Sequence, residues 1–177
     1  MKTCSSSLED THTLPWNTTE HLYKNRVETM TTFVIKHRTS GKFIHPLGGS
    51  RNPCENTAVV LHQDVHDRMY FAFDRTCNGY GYIRHVASGK CIHPYGGSTD
   101  PCNETGLVLH SDRHNGALFY LDTCKKQIRH HGGKFIHPKG GQANPCNNNS
   151  LVLHGDCHDR MEFLIVSPCN TCQEVTP

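Results

Sequence analysis

Residues Gly41 to Gly49 read GKFIHPLGG, and the chain writes the phrase twice more, as GKCIHPYGG at Gly89 to Gly97 and GKFIHPKGG at Gly133 to Gly141. Each copy is answered downstream by a second phrase: VLHQDVH at Val60 to His66, VLHSDRH at Val108 to His114 and VLHGDCH at Val152 to His158. The aspartates Asp64, Asp112 and Asp156 each follow their HP histidine, His45, His93 or His137, by 19 positions. A threefold repeat that keeps its polar side chains as strictly as its apolar ones repeats a binding site as well as a fold.

Successive HP motifs are 48 and then 44 residues apart. A unit that short does not bury its own apolar face, so the three copies are expected to close around a common centre. Within each copy apolar residues alternate over short runs bounded by Gly, Pro, Asn and Ser, as at Phe33-Val34-Ile35, Lys42-Phe43-Ile44, Val59-Val60-Leu61 and Met69 to Phe73. Those are strand signals, four to a repeat, and no capped run of helical period interrupts them. Twelve strands in three copies predict an all-β chain, a β-trefoil with threefold internal pseudosymmetry, in which a six-stranded barrel is closed by three hairpins and leaves no exposed edge. The domain is placed at about 30–170, with repeats at about 30–77, 78–124 and 125–170. Residues 1–29 read as a polar, disordered extension and 171–177 as a tail.

The charge pattern narrows the partners. Eighteen Lys and Arg are scattered among 16 Asp and Glu, for a net charge of +2. Without a basic run or an aromatic platform, nucleic acid is not an expected partner. No stretch approaches the roughly 20 apolar residues of a membrane span, and residues 1–29 carry no apolar signal region. The expectation is therefore a protein without membrane insertion that is cytoplasmic or secreted by a non-classical route. The sequons at Asn103 and Asn148 fall in the proposed site loops, which favours the same reading.

Ten cysteines complicate that view. Cys54, Cys102 and Cys146 each lie nine residues after an HP histidine, and Cys77, Cys124 and Cys169 each follow the last strand of a repeat. Their separations of 23, 22 and 23 residues suggest three related disulfides, 54 to 77, 102 to 124 and 146 to 169, with six free thiols as the alternative. Cys91 takes the place of Phe43 and Phe135 and reads as a core residue.

In the HPxGG turn, proline restricts the histidine and the glycines let a ligand approach bare backbone amides. In HxDxH the polar residues recur at period two, which on a strand would put them on one face. Asp64 with His66, Asp112 with His114 and Asp156 with His158 then offer a carboxylate acceptor beside an imidazole, a pairing suited to a vicinal diol. Asn56, Glu104 and Asn148, eight residues before each aspartate, can add a hydrogen bond from the intervening loop. His62, His110 and His154 are read as capping residues of the backbone. Turn residues also recur for structural reasons alone, so pattern by itself leaves a purely structural reading open.

Two other chemistries fit less well. HxDxH could donate to zinc, but three residues along an extended strand span too far to converge on one ion about 2.0 Å from each, so no metal site is assigned. A glycosidase needs paired carboxylates, which only Glu104 with Asp112 could offer, and no nucleophile recurs beside the histidines. No catalytic residue and no cofactor are expected; three equivalent sites suit binding better than turnover. A histidine-rich adaptor or metal-binding protein without sugar specificity is the alternative.

The stretch MTTFVIKHRTSGKFIHPLGG from Met30, the HPYGG and HPKGG copies, the DxH after each and MEFLIVSP from Met161 resemble the mytilectin family of bivalve lectins over about residues 30–170. The resemblance implies a β-trefoil with three sites for galactose and N-acetylgalactosamine, α-galactosides included. Its implied partners are galactosylated glycans of glycolipids or glycoproteins, with agglutination of cells and innate recognition as the readouts. Carried over by position, the implied sites are His45, Gly48, Asn56, Asp64 and His66; His93, Gly96, Glu104, Asp112 and His114; and His137, Gly140, Asn148, Asp156 and His158. The sequence departs from the family at Asp122-Thr123-Cys124, where some members carry a dimer-forming phenylalanine pair, so no oligomeric state is carried over. Leu47 also replaces the Tyr or Lys usual in the first turn.

Overall fold

The computed structural model describes residues 32–168. The expected extension at 1–29, the tail at 171–177 and Cys169 lie outside the described residues. Among the described residues twelve strands form: β1 Val34–His37, β2 Phe43–Pro46, β3 Thr57–His62, β4 Phe71–Arg75, β5 Tyr80–His85, β6 Cys91–Pro94, β7 Thr105–His110, β8 Phe119–Asp122, β9 Gln127–His130, β10 Phe135–Pro138, β11 Asn149–His154 and β12 Phe163–Val166. The first and last strands of each repeat build the barrel. β4 pairs with β5, β8 with β5 and β9, and β12 with β1, all antiparallel. A bridge between Phe33 and Phe71 and the bond from Phe163 N–H to Lys126 C=O close the ring. The middle strands form the hairpins β2–β3, β6–β7 and β10–β11, and β3, β7 and β11 pair with one another to seal one end. This is the β-trefoil read from the sequence.

The core is threefold because the apolar pattern is. Phe71, Phe119 and Phe163 meet at the centre with Ile35, Ile83 and Ile128, and beneath them lie Ile44, Ile92 and Ile136 with Leu61, Leu109 and Leu153, each at most 2% exposed. Burying one such side chain stabilises the fold by about 1.5 to 3 kcal/mol, and no repeat can do so without the other two. Cys91 is fully buried at its phenylalanine position, where burial raises its thiol pKa.

Three fully buried histidines tie the copies into a ring. His37 donates from Nε2 to Arg160 C=O at 2.7 Å, His85 to Arg68 C=O at 2.6 Å and His130 to Gly116 C=O at 3.0 Å. Each bond runs from the first strand of one repeat to the segment after DxH in the preceding one. Because a carbonyl only accepts, Nδ1 is the acceptor of each neutral ring, receiving Ser40 Oγ–H, Ser88 Oγ–H and Gly132 N–H.

The disulfides expected from spacing are not made. Cys54, Cys77, Cys102 and Cys124 are free and exposed. Cys54 lies in the β2–β3 connection, where its carbonyl caps the turn into β3, whereas Cys77 lies in the β4–β5 turn of the barrel. Similar loop lengths follow from the repeat itself and do not bring the sulfurs together. Cys146 is likewise free, its expected partner falling outside the described residues.

Candidate functional site

The HP turn and the DxH segment of each repeat face one another. In the first repeat they enclose a hollow of about 480 Å³ lined by His45, Pro46, Leu47, Gly48, Gly49, His62, Asp64, His66, Arg68 and Asn148. The second repeat encloses about 370 Å³ with His93, Pro94, Tyr95, Gly96, Gly97, Val108, His110, Asp112, His114 and Asn56. Both lie within the range of small-ligand sites.

The segment HxDxH is not a continuous strand. His62, His110 and His154 end β3, β7 and β11; the aspartates lie in the following loop; and His66, His114 and His158 open short 3-10 turns. The one-face reading therefore gives way to a folded-back loop. Backbone bonds hold its shape: Asp64 N–H donates to His62 Nδ1 at 3.2 Å and Arg68 N–H to His66 Nδ1 at 3.2 Å, with matching pairs at Asp112 and His110, Gly116 and His114, Asp156 and His154, and Arg160 and His158. In a neutral ring whose Nδ1 accepts, Nε2 carries the proton. His62 and His66 thus each present an Nε2–H donor, and His62 and His110 do more than cap the backbone, since they line the hollows.

The HP histidines are almost fully buried, at 2% exposed for His45 and His93 and 3% for His137. Their Nε2–H donates to the backbone carbonyl of the aspartate, at 2.9 Å for His45 and Asp64, 2.6 Å for His93 and Asp112 and 2.9 Å for His137 and Asp156. Gripping the backbone turns the carboxylate outward, with 62%, 70% and 75% of the side chains of Asp64, Asp112 and Asp156 exposed. The DxH ring packs edge-on against the HP ring, 4.7 Å between centroids for His45 and His66, 5.0 Å for His93 and His114 and 4.9 Å for His137 and His158. Burial holds the pKa of all three HP histidines low, to about 4 for His45 and His137. They stay neutral near pH 7, with Nδ1 left as an acceptor.

Gly48, Gly96 and Gly140 take φ of 78°, 81° and 78°, left-handed values that a side chain resists. A Cβ on any of them would meet nothing within 4 Å, so the backbone faces open space. In the second turn Tyr95 N–H donates to Gly106 C=O and Gly97 N–H to Pro94 C=O, with Gly96 between them lining the hollow.

Asn56, Glu104 and Asn148 belong to different sites from those assigned by sequence. Asn148 lines the first hollow and Asn56 the second. The backbone N–H of Asn56 bonds Leu109 C=O, that of Glu104 Leu153 C=O and that of Asn148 Leu61 C=O, so each loop docks just before HxDxH of a neighbouring repeat. The preceding side chain locks the contact: Ser111 N–H donates to Glu55, Gly155 N–H to Asn103 and Gln63 N–H to Asn147, at 2.9, 3.0 and 3.2 Å. Site 1 therefore combines His45, Gly48, Asp64 and His66 with Asn148; site 2 combines His93, Gly96, Asp112 and His114 with Asn56; the same docking carries Glu104 to site 3 beside His137, Gly140, Asp156 and His158. Sequence reasoning could not see this, because pairing of β3, β7 and β11 across repeats sets it.

Two further residues were not anticipated. Arg68 lines site 1, its Nη1 donating to Gly49 C=O at 3.1 Å, and Arg160 does the same to Gly141 in the third repeat. Gly116 holds the corresponding place in the second, where a Cβ would strike Gly97 C=O at 2.2 Å. Among the described residues no group of three or more His, Cys, Asp or Glu is arranged to hold a metal ion. No helix of the described residues is long and apolar enough to cross a membrane.

Comparison with known proteins agrees with this architecture. A galactose-binding lectin of Crenomytilus grayanus is 63% identical over 54 residues, 30% of this chain and 36% of its own length. An α-D-galactose-binding lectin of Mytilus galloprovincialis is 61% identical over 59 residues, 33% of this chain and 32% of its own. The matched segments thus span about a third of these relatives. Among solved structures, a designed threefold-symmetric protein, ThreeFoil, superposes with a TM-score of 0.68 at 14% identity, over 77% of this chain and 99% of its own. The C-terminal half of an earthworm R-type lectin, solved with GalNAc, superposes with a TM-score of 0.60 at 12% identity, over 77% and 98%. At such identities the likeness concerns the fold alone. The model of the MytiLec family, described as α-D-galactose-binding lectins, matches residues 33–168, so the chain is a member of that family of carbohydrate-binding lectins.

Proposed function

We propose that the protein is a multivalent lectin that binds terminal galactose and N-acetylgalactosamine, α-galactosides included, at three sites and agglutinates cells bearing them. The observation that carries this reading is the convergence of an outward carboxylate, an Nε2–H donor and an open glycine backbone around a hollow of sugar size in the first two repeats, with matching residues in the third. The cis 3- and 4-hydroxyls of galactose can give one proton to Asp64 and accept one from His66. In glucose the 4-hydroxyl is equatorial and one of these partners loses its bond, a loss of about 1 to 3 kcal/mol.

A single exposed site of this kind binds a monosaccharide weakly, at about millimolar affinity, and joining three can raise avidity by about 10² to 10⁴ where the geometry allows. Function at a cell surface follows from the number of sites rather than from the strength of any one. Glycan-array binding and agglutination, each inhibited by galactose and not by glucose, are the expected outcomes. Equal inhibition by both epimers would falsify the assignment. Array binding without sugar preference would instead favour the histidine-rich adaptor.

A further inference from the structure

The three sites share their diol-facing groups but not the charge around them. At site 1 the loop contributes neutral Asn148 and the rim contributes Arg68, whose side chain is 46% exposed. One guanidinium nitrogen is committed to Gly49 C=O. The adjacent carboxylate, Asp67, lies 4.0 Å from Arg68 Nε but is ion-paired with Arg51. Arg68 therefore offers the hollow a cation with spare N–H donors beside Gly49.

Site 2 has no counterpart. Gly116 replaces the arginine, Arg113 turns to Asp74 at 2.9 Å, and Glu55 sits on the flank within 3.5 Å of His110 Nε2. Site 3 keeps Arg160, and the Glu104 backbone docks on Leu153 C=O beside it where Asn148 and Asn56 dock on Leu61 and Leu109 at the other two. Glu104 holds φ of 66°, a conformation that asparagine tolerates at Asn56 and Asn148 and that glutamate adopts at a cost. A charged residue kept in a strained place points to a role in its site.

Resting on the galactoside reading, we propose that site 1 selects galactosides carrying an anionic substituent, a sulfate or a carboxylate, whereas sites 2 and 3 take neutral ones. The substituent must lie beside Gly49 and Arg68. An exposed charge pair of this type is worth up to about fivefold in affinity and is screened by salt.

The test titrates the full chain with methyl galactoside, its sulfate esters and galacturonic acid, following the imidazole resonances of His66, His114 and His158 as separate reporters of the three sites. At low ionic strength His66 is expected to report binding of a charged derivative about twofold to fivefold tighter than the neutral sugar. The preference should disappear at about 0.5 M salt. Because Arg68 also holds the turn, the readout in variants is the ratio of charged to neutral affinity. That ratio should fall to about one in Arg68→Gln, persist in Arg68→Lys and rise at site 3 in Glu104→Gln. A gain for sulfate alone or uronate alone supports the proposal and names the substituent. A ratio of one or less at His66 in the unaltered protein, or a preference that survives Arg68→Gln, overturns it. If the neutral galactoside moves none of the three histidines, the underlying galactose reading fails instead.

Discussion

At the scale of the residue, the site is organised by what each histidine does with its two nitrogens. The HP histidine spends Nε2–H on a backbone carbonyl, and the DxH histidine spends Nδ1 on a backbone N–H, so neither ring is free to choose its tautomer. The donor offered by His66 and the acceptor offered by Asp64 are thereby in place before a ligand arrives, which lowers the ordering cost of binding. Glu104 illustrates the opposite economy. Its left-handed backbone suits asparagine, so Glu104→Asn is expected to raise stability by about 0.5 to 1 kcal/mol, or about 1 to 4 °C in Tm. Differential scanning calorimetry reads this directly, and an unchanged or lowered Tm would show that the carboxylate is stabilised by its surroundings.

At the scale of the element, the 3-10 turn after each DxH fixes how closely the HP turn can approach. Met69 and Met161 close that turn in the first and third repeats, their sulfurs 3.3 Å from the backbone N–H of His66 and His158. In the second repeat Gly116 and Ala117 replace the longer side chains, and the turn settles against Gly97. Gly116→Ala would force a Cβ to within 2.2 Å of a backbone carbonyl, so a loss of about 2 to 4 kcal/mol is expected in urea unfolding. Gly96→Ala, with open space ahead of its Cβ, carries only the backbone term of about 1 kcal/mol. Equal effects of the two changes would contradict the packing described for this turn.

At the scale of the whole molecule, six buried histidines couple the fold to pH. His37, His85 and His130 ring the repeats together and His45, His93 and His137 hold the sites, and burial lowers the pKa of every one. Above pH 6.5 both folded and unfolded chains leave these rings neutral, and the stability they contribute is fully present. As pH falls below 6.5 the unfolded chain takes up protons that the folded one refuses. For His45 and His137 that loss continues down to about 4, at up to about 1.4 kcal/mol per pH unit for each. Tm should therefore fall steeply between pH 6.5 and 4, and a profile flat from pH 7.5 to 4.5 would contradict it. His45 and His137, held to about 4 by burial, are still neutral at pH 5 and keep their place in the sites there.

The amino-acid sequence alone determined the repeat, the twelve strands, the apolar residues at the threefold centre and the residue types that face the hollows, because local alternation, turn chemistry and exact recurrence are properties of the chain read in order. Tertiary structure decided which of those residues share a site. Asn56, Glu104 and Asn148 cross to a neighbouring repeat because β3, β7 and β11 pair with one another, and no spacing within a repeat encodes that pairing. The cysteines show the same limit from the other side: regular intervals suggested bridges, yet Cys54 and Cys77 ride on different turns, one beside a hairpin and one at the barrel. Arg68 took on meaning only once Gly49 was folded against it, since a side chain's partner is set by distance in space rather than along the chain.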